Sequence, residues 1–399
     1  MTIFRLVLLV SLAHALVHVF ELSLPSVEQL IGQEFAVNKD TTGMLGTCWR
    51  LPFGLCAFFA GWLADRYGAK RLLIVYLVGC AFMALAASYA RTIPVLFGVM
   101  LCMGLFASIY HPAGLSFISK QTTAETRGAA LGWHGIFGSA GIASAPFLAS
   151  VVFSRTNLSW RDYYLVLMVP ALLLALLLAF LLRDDVPTTN NKHSETPPDG
   201  DAEDSTATPS PDEDETSDWQ RYGLLVATGV LSGFIYSAFM HFLPRYLDSA
   251  NVLPDDVEAK SARNLLTAIV LACGIGGQWL AGRLSKPGRL EGLLVFVMFA
   301  NAPFLCWMAF AEGPARFWAT CLLAIVHFMN QPVYNSLIAQ YVASSRRSTG
   351  YGFSNLMCFG LGALGPTYAG FVGSEQWTYG GLAVVATLAA VVAIRLKAK

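Results

Sequence analysis

Six of the seven histidines in this chain lie in long apolar stretches, where a titratable side chain is unusual. These residues are His14, His18, His111, His134, His241 and His327. A group that can carry charge is costly to bury without a partner, so such residues commonly face one another or a water-filled path. Because imidazole exchanges protons near neutral pH and also ligates transition metals, these positions predict proton exchange or metal binding.

The first of these stretches also carries a carboxylate. His14, His18 and Glu21 are spaced by four and three residues, which places them on one face of a helix. If this stretch and the next are consecutive membrane-spanning helices, Glu21 and Arg50 lie roughly 13 and 12 Å from the same end and can pair. Two interpretations stay open. Either the pair only holds two helices together, or Glu21 and a nearby histidine exchange protons while Arg50 holds an anion.

The composition predicts which elements position these residues. Of 399 residues, 55% are apolar and only 13% are charged, which is about half the charged fraction of a soluble protein. Uncharged apolar runs of about 20 residues recur along most of the chain, as in a polytopic membrane protein. This composition disfavours a nucleic-acid-binding protein and a soluble enzyme. The eight cysteines all lie in apolar runs without a CxxC pair, and we interpret them as packing residues.

We predict twelve membrane-spanning helices from apolar length and from polar, glycine or proline breaks. The first begins after Arg5, and we expect it to be retained because it carries ionisable residues and many spans follow it. The predicted spans are 5–30, 42–64, 71–90, 93–119, 128–153, 162–182, 220–246, 263–284, 289–311, 314–343, 348–372 and 376–396.

The segment 184–218 separates two sets of six spans. From Arg183 to Asp218 there are twelve acidic and two basic residues, so we expect a disordered cytoplasmic linker. We therefore predict an N-terminal six-helix bundle over 1–183 and a C-terminal six-helix bundle over 219–399. With the N-terminus inside, 17 basic residues fall on the cytoplasmic side and 8 on the other. That bias predicts a multi-pass protein of the cell (inner) membrane with both termini cytoplasmic.

A repeat at a constant offset of 220 residues relates the two sets. It pairs Pro112 with Pro332, Arg127 with Arg347, Gly132 with Gly352, and Pro146 with Pro366. Because each set has six spans, matched spans cross in the same direction, which predicts a parallel repeat. The offset matches Glu21 with His241, and we expect these two to face each other across a central cavity. The alternative is that His241 is hydrogen-bonded within a helix interface.

The loop between spans two and three carries an ordered set of glycines and charges. Its chemistry-bearing residues are Gly61, Asp65, Arg66, Gly68, Lys70 and Arg71. This run resembles motif A of the major facilitator superfamily, and the chain resembles that superfamily over essentially its whole length. The resemblance implies an all-α membrane fold of two pseudo-symmetric six-helix bundles. It also implies a cytoplasmic latch built on Asp65, to which we assign Arg127 as well; the alternative is a basic loop that only sets topology.

Two further elements resemble branches of this superfamily. Gly135, Gly138, Gly141 and Pro146 in span five are similar to motif C of proton-driven exporters, which implies antiport; Gly362 and Pro366 form the matching element of the second half. The alternative for these residues is close helix packing. Tyr110-His111-Pro112 is similar to an element of the fosmidomycin-resistance branch.

Polar residues of both halves are the candidates for a substrate cavity. They are Tyr110, His111, His134, Asn330, Gln331, Tyr334, Asn335 and Asn355, with His327 nearby. His111 and His134 can instead satisfy a backbone carbonyl freed by Pro112. Metal binding is the competing use of His14, His18 and Glu21, with His241 as a fourth group. No HExxH motif, CxxC pair or His-rich loop accompanies them, so we predict no resident metal and no cofactor.

These features together predict a secondary active transporter that works by alternating access. We expect proton-coupled efflux of a small polar or amphiphilic compound. The alternative is a carrier of a transition metal ion or an organic anion that uses the intramembrane histidines, Glu21 and Arg50. No P-loop and no nucleophile–base set is present, so we expect neither an ATP-driven pump nor an enzyme. The expected partners are a small solute, protons and the lipid bilayer, with no nucleic acid, and the expected state is a monomer.

Overall fold

The computed structural model describes residues 3–155, 158–182, 216–254, 256–286, 288–343 and 346–397, and these are almost entirely helical. Nine helices in the described residues are long and apolar enough to cross a bilayer. Three further crossings, at 39–67, 314–341 and 347–372, each consist of two helices joined by a short turn. The prediction of twelve spans is confirmed. The acidic linker predicted at 184–218 lies outside the described residues except for its last three.

The first six crossings form the first half. Their helices are α1 (Ile3–Glu34), α2 (Lys39–Leu55), α3 (Ala57–Tyr67), α4 (Ala69–Tyr89), α5 (Ile93–Ala107), α6 (Tyr110–Gln121), α7 (Ala124–Phe153) and α8 (Trp160–Leu181). Helices α2 and α3 together make the second crossing, and α5 and α6 make the fourth. Long apolar runs explain these helices, and the predicted boundaries differ from the observed ones by a few residues.

The second half repeats this order. Its helices are α9 (Trp219–Leu247), α10 (Ala259–Leu284), α11 (Leu290–Phe310), α12 (Pro314–Phe328), α13 (Asn330–Tyr341), α14 (Arg347–Gly362), α15 (Gly365–Val372) and α16 (Glu375–Ile394). Both chain ends lie at one end of the bundle, which we call the terminal side. The opposite end, where α1 stops and α2 starts, is the far side.

The repeat is visible in where two helices break. The fourth crossing breaks between α5 and α6, and the tenth breaks between α12 and α13, 220 residues later. Pro112 and Pro332 occupy the third position of α6 and α13. A proline has no N–H to donate to the carbonyl four residues earlier, so a straight helix cannot pass through these points. Each break turns the residues around it toward the centre of its half.

The two halves are joined mainly toward the far side. Helix α1 packs on α9, α2 packs on α14 and α15, and α7 packs on α10. Glu28 of α1 accepts hydrogen bonds from Arg245 Nε and Nη2 of α9 at 2.9 and 2.8 Å. Ser150 and Ser261 are hydrogen-bonded at 3.0 Å, and this pair joins α7 to α10. We call the set formed by Glu28, Arg245, Thr42 and His241 the far-side latch.

Candidate functional site

The predicted face of α1 lies in the interior of the first half, where it meets α2. The Glu21 carboxylate accepts from His18 Nδ1 at 2.7 Å and from Arg50 Nη1 at 2.6 Å. Glu21 and Arg50 are 3% and 5% exposed. A carboxylate and a guanidinium this deeply buried require each other, because either one alone would be an uncompensated charge. His18 therefore binds to a carboxylate that Arg50 already holds in position.

The broken crossing and α7 complete the cluster from the other side. His14 Nδ1 lies 2.7 Å from the backbone oxygen of His134, and the two rings stack with centroids 3.9 Å apart. The Tyr110 hydroxyl donates to the Val10 carbonyl at 2.8 Å and lies 2.9 Å from His134 Nε2. The ring of His111 lies 5.3 Å from that of His14. The helix break at Ile109 thus places Tyr110 and His111 against α1.

Two glycines of α7 make room for this arrangement. A Cβ on Gly138 would overlap the ring of His14, and a Cβ on Gly141 would overlap the backbone of α1 at Ala15. Gly135 has open space around its α-carbon. Gly138 and Gly141 therefore allow α7 to pack closely on α1, and this close packing lets His14 stack on His134.

The hydrogen bond to the His134 carbonyl fixes the tautomer of His14, and that of His18 follows from the ionisation of Glu21. A backbone carbonyl only accepts, so His14 Nδ1 carries a hydrogen. An ionised Glu21 also only accepts, so His18 Nδ1 carries one as well. If both rings are neutral, both Nε2 atoms hold lone pairs, yet these two atoms lie 3.3 Å apart. Such a contact is attractive only when one more proton, or a cation, lies between them.

One extra proton therefore satisfies the chain formed by Glu21, His18 and His14. It can reside between the two imidazoles, or it can reside on Glu21, which then donates to His18 Nδ1 while His18 Nε2 donates to His14. In the first form Arg50 and the protonated imidazole pair are positive and Glu21 is negative. In the second form Glu21 and both imidazoles are neutral and Arg50 alone is charged. The loaded cluster thus carries a net charge of about +1 in a buried region, where such a charge requires a counter-ion.

Arg50 has one donor that the protein does not use. Its Nη2 is buried without a hydrogen-bond partner in the structure. The guanidinium lies over the Tyr236 ring of α9, 5.5 Å from the centroid. Arg50, Tyr236, Ser237 and Cys358 line a small cavity between the halves with room for about one water molecule. The unused donor therefore lies at the boundary between the two halves.

Comparison with known proteins identifies the architecture. The sequence profile described as Major Facilitator Superfamily matches residues 10–366. The chain belongs to this superfamily. It is 24% identical over 321 residues to the probable sulfoacetate transporter SauU of Cupriavidus necator, covering 75% of this chain and 70% of that protein. It is 29% identical over 151 residues to the multidrug efflux pump LfrA of Mycolicibacterium smegmatis, covering 37% of this chain and 29% of that one.

The likeness to solved structures supports the same fold. A bacterial homolog of the human lysosomal transporter Spinster, in an inward-facing and unoccupied conformation, superposes with a TM-score of 0.72 at 16% identity. The alignment covers 99% of this chain and 95% of that one. The major facilitator fold of two six-helix halves, expected from the motif-A resemblance, is thereby confirmed. A superfamily of transporters also agrees with the expectation that the chain is not an enzyme.

His241 occupies a different place from the predicted one. Its Nε2 lies 2.9 Å from the Thr42 carbonyl oxygen, and its ring fills the space beside Gly46. It belongs to the far-side latch with Glu28 and Arg245, and in the described structure it makes no hydrogen bond with Glu21. The reason is that α9 meets α1 and α2 toward the far side, so the matched position lies on the α2 backbone. Its Nδ1 is buried without a partner.

The predicted cavity residues near the α12–α13 break are partly brought together. His327 Nδ1 lies 2.9 Å from the Asn301 side-chain oxygen, and its ring stacks on Tyr236. Asn330 donates to the Ser232 hydroxyl at 3.0 Å. A chain runs from Ser139 of α7 through Gln278 of α10 to Gln331, with hydrogen bonds of 2.5 and 3.0 Å. Ser139, Gln278 and Gln331 therefore form a polar bridge between the halves.

The remaining predicted cavity residues lie elsewhere. The Tyr334 hydroxyl is bonded to Ser354 at 2.7 Å within the core of the second half. Tyr334 is thus a packing residue in this conformation, contrary to its predicted place in the cavity, because the small Gly229 leaves space for its ring. Asn335 and Asn355 are both exposed.

The motif-A residues lie where the sequence predicts, at the turn between α3 and α4 on the terminal side. Gly68 caps α3 with φ 89°, a conformation that favours glycine. Arg66 lies over the rings of Trp62 and Tyr67, with distances of 5.5 and 5.6 Å to the centroids. Gly61 approaches Pro112 of α6 at ordinary contact distance. The side chains of Asp65 and Arg127 lie outside the described part of the chain, and so does the predicted latch.

The other predicted residues of this group are placed as follows. Arg71 is exposed and Lys70 is half-buried. Pro146 lies inside α7, beside Ala145, whose carbonyl accepts from Tyr163 at 3.0 Å. Gly362 packs on the backbone of Gly233, and the Pro366 carbonyl lies against Gly43 of α2. The α14–α15 pair is thus a close contact between the halves.

Three residues of the candidate site were not predicted, although the sequence holds a signal for one of them. Glu28 lies seven residues after Glu21, so it extends the same face of α1 by two turns. The sequence shows its partner Arg245 only as a basic residue near a predicted helix end and does not indicate the pairing. Tyr236 could not be distinguished from an ordinary core aromatic, because its role depends on how the second half packs on Arg50.

Metal ligation remains geometrically open for three of the histidines. Ring nitrogens of His14, His18 and His111 lie within 4.8 Å of one another. The 3.3 Å separation between the His14 and His18 Nε2 atoms equals the spacing of about 3.3 Å between two ligands of a tetrahedral zinc ion. The predicted fourth ligand, His241, is in the far-side latch and does not join them.

Proposed function

We propose that this protein is a proton-coupled secondary transporter that moves a small polar solute by alternating access between its two halves. The observation that supports it most is the pair of facing Nε2 atoms on His14 and His18, a contact that one added proton makes attractive. The bundles are 1–183 and 219–399, joined by an acidic linker, in a monomer. The chain lies in the cell (inner) membrane with its terminal side in the cytoplasm, as the distribution of basic residues indicates.

The proton moves along the α1 face. It enters the chain at His14 or His18, whose side chain is 14% exposed. A shift of one hydrogen within the hydrogen bonds then protonates Glu21 and weakens its attraction for Arg50. Because Arg50 is also in contact with Tyr236 of the second half, a change in this pair alters the contact between the halves. Proton binding and movement of the halves are linked in this way.

The conformation with a joined far side corresponds to a state closed to the outside. To open there, the halves must separate at the far-side latch and at the Ser150–Ser261 hydrogen bond. Closure at the cytoplasmic side would then bring the motif-A turn toward the second half. A gradient of protons drives net transport only if the two states differ in proton affinity.

The direction of net transport depends on whether solute and proton compete. Similarity to the efflux pump LfrA over part of the chain, and the glycines of α7, favour export by antiport as an alternative to co-transport. In that case an amphiphilic or cationic solute takes the place of the proton beside Glu21. Solute binding should then weaken at low pH, whereas co-transport requires it to strengthen.

A transition metal ion is a second candidate for the solute, favoured by the spacing of the His14, His18 and His111 nitrogens. Such an ion would replace the shared proton. Transport of Zn²⁺ or Ni²⁺ in proteoliposomes tests it directly. Metal uptake that is lost in His111→Ala, while proton-driven movement of organic solutes is absent, would favour a metal carrier over the proton-coupled one.

Flux in proteoliposomes with an imposed pH gradient tests the main proposal. The full-length protein is reconstituted with a pH-sensitive dye inside, and a panel of small solutes is added outside. We expect at least one solute to produce a coupled change of internal pH, and Glu21→Gln to abolish it. The matched control is Glu312→Gln, at an exposed position. Unchanged coupling in Glu21→Gln would remove Glu21 from the proton path.

A further inference from the structure

The buried cluster of the first half carries more positive than negative charge once its proton is bound. Arg50 and Glu21 neutralise each other, so the proton held by Glu21, His18 and His14 leaves one positive charge in excess. The groups packed around this chain from other elements are His111 and Tyr110 of α6, His134 of α7 and Tyr236 of α9. None of these supplies a compensating carboxylate.

The second observation concerns the direction in which Arg50 can bind. Nη1 is occupied by Glu21, whereas Nη2 is buried, has no partner and borders the cavity between the halves. A guanidinium binds a carboxylate or sulfonate through two parallel N–H donors. The cavity wall from α9 adds the ring of Tyr236 and the Ser237 hydroxyl, which donates to the Gly362 carbonyl in this conformation and would have to turn to donate to an anion. The structure thus has an unused cationic donor facing the surface where the halves move.

From these observations we infer that the solute is a small organic anion, a carboxylate or sulfonate, which binds Arg50 at Nη2 in the cavity between Arg50, Tyr236 and Ser237. This inference rests on the proposed proton coupling and specifies its substrate class. Protonation of Glu21 removes its negative charge, and the anion at Nη2 then supplies the counter-charge for Arg50. The loaded site is then neutral for a monoanion. Proton and anion therefore bind together and cross in the same direction.

The cavity is small in this conformation because the far side is joined. Its walls come from α2 on one half and from α9 and α14 on the other. Separation of the halves widens it, whereas a site built on one half alone would keep its size. Neutral and cationic compounds of the same size lack the charge that the loaded cluster requires, so they should not compete.

The experiment uses full-length protein in proteoliposomes with a pH dye inside and equal pH on both sides. Methanesulfonate, sulfoacetate and succinate are the anionic probes; methanesulfonamide is the neutral isostere, ethylammonium the cation and Zn²⁺ the metal. We expect at least one anion to acidify the interior, and to do so faster when the common pH of the two sides is lower. Arg50→Gln should reduce this by about 30-fold or more, as expected for the loss of a charge-assisted hydrogen bond.

Two further variants separate binding from folding. The double variant that carries both Glu21→Gln and Arg50→Gln keeps the buried site neutral, so it should fold. It should not move anions, because it lacks the guanidinium. Arg50→Lys keeps the charge but loses the second donor, so it should retain only a small part of the flux. Arg289→Gln, at an exposed position, is the matched control and should keep full activity.

The outcomes separate this inference from the proposed function. If methanesulfonamide or ethylammonium moves with a pH change and no anion does, the anion class is wrong and proton coupling stands. If anions enter without acidification, the anion class stands and proton coupling is wrong. Zn²⁺ transport without any organic flux overturns both.

Discussion

The two halves share a backbone plan but differ in the chemistry of their cores. At the offset of 220 residues, the pairs are His14 and Phe234, His18 and Ala238, Arg50 and Val270, Tyr110 and Asn330, His111 and Gln331, and His134 and Ser354. Every position in the proton chain except Glu21 is matched by a residue that cannot ionise. The helix breaks at Ile109 and Met329 nevertheless coincide. The repeat therefore preserves geometry, while the proposed proton chain lies in one half alone.

In the proposed mechanism this asymmetry has a physical reason, because the two halves move relative to each other. A proton chain built within one half keeps its hydrogen bonds when the halves rotate, whereas a chain divided between them would break at each cycle. The neutral half can then act as a wall that meets Arg50 through Tyr236 in one state and leaves it in another. The exception, His241, is matched with Glu21 but is located in the far-side latch.

The test with the largest expected effect replaces Glu21 and its match His241, the pair of the proposed proton chain in which both residues can ionise. Glu21→Gln should reduce pH-gradient-driven flux by about 100-fold, because the amide can neither bind the proton nor supply the negative charge that is worth about 3 kcal/mol to Arg50 and His18. His241→Gln can still donate to the Thr42 carbonyl, so we expect less than about a fivefold effect. Initial rates in proteoliposomes at matched expression measure both. Equal losses would show that the second half shares the proton chemistry.

The second test converts a residue of the first half into its counterpart. His18→Ala reproduces Ala238 and interrupts the path between His14 and Glu21. We expect flux to lose most of its dependence on pH, with a rate about tenfold lower at low pH than in the unmodified protein. A pH series of initial rates is the measurement, and His193→Ala in the acidic linker is the control. A preserved pH profile would place the proton elsewhere.

The third test concerns the packing that positions His14. Gly138→Ala must displace the His14 ring, so it should lower the free energy of unfolding by about 1–3 kcal/mol. The transport rate should fall as well, because His14 leaves its position in the cluster. Gly135→Ala has open space and should stabilise α7 by up to about 1 kcal/mol. Melting temperatures in detergent and proteoliposome flux report both effects. A stable, active Gly138→Ala variant would mean that the ring position is not needed.

How far the sequence leads differs between the fold and the site. Apolar run length predicts all twelve crossings, because a bilayer forces backbone polar groups into helices. The α1 face and its depth relative to Arg50 correctly place Glu21 near that arginine, since both depend only on helical geometry. The contacts of Tyr236, His241 and Tyr334 could not be predicted, because they depend on the tilt and register of one half on the other.

The least disruptive test addresses the contact between the halves. Glu28 is 1% exposed, and its carboxylate binds Arg245 across the halves and accepts from Thr42. The Arg245 side chain is 31% exposed, so solvent weakens the pair and the effect of Glu28→Gln should be only about 1 kcal/mol, or roughly a fivefold shift toward far-side opening. Amide hydrogen exchange should then rise at the end of α1 and the start of α2.

The matched control for this variant is an ion pair inside one half. Arg316 binds Glu375 at 2.6 Å, and both belong to the second half. Glu375→Gln should therefore lower the melting temperature slightly without increasing exchange in α1 or α2. If both variants raise exchange there equally, Glu28 contributes general stability and does not hold the far side closed. If only Glu28→Gln raises exchange in α1 and α2, the conformational equilibrium depends on the charge of Glu28. Because Glu28 lies on the same face of α1 as the proposed proton chain, proton coupling and gating would then depend on one helix.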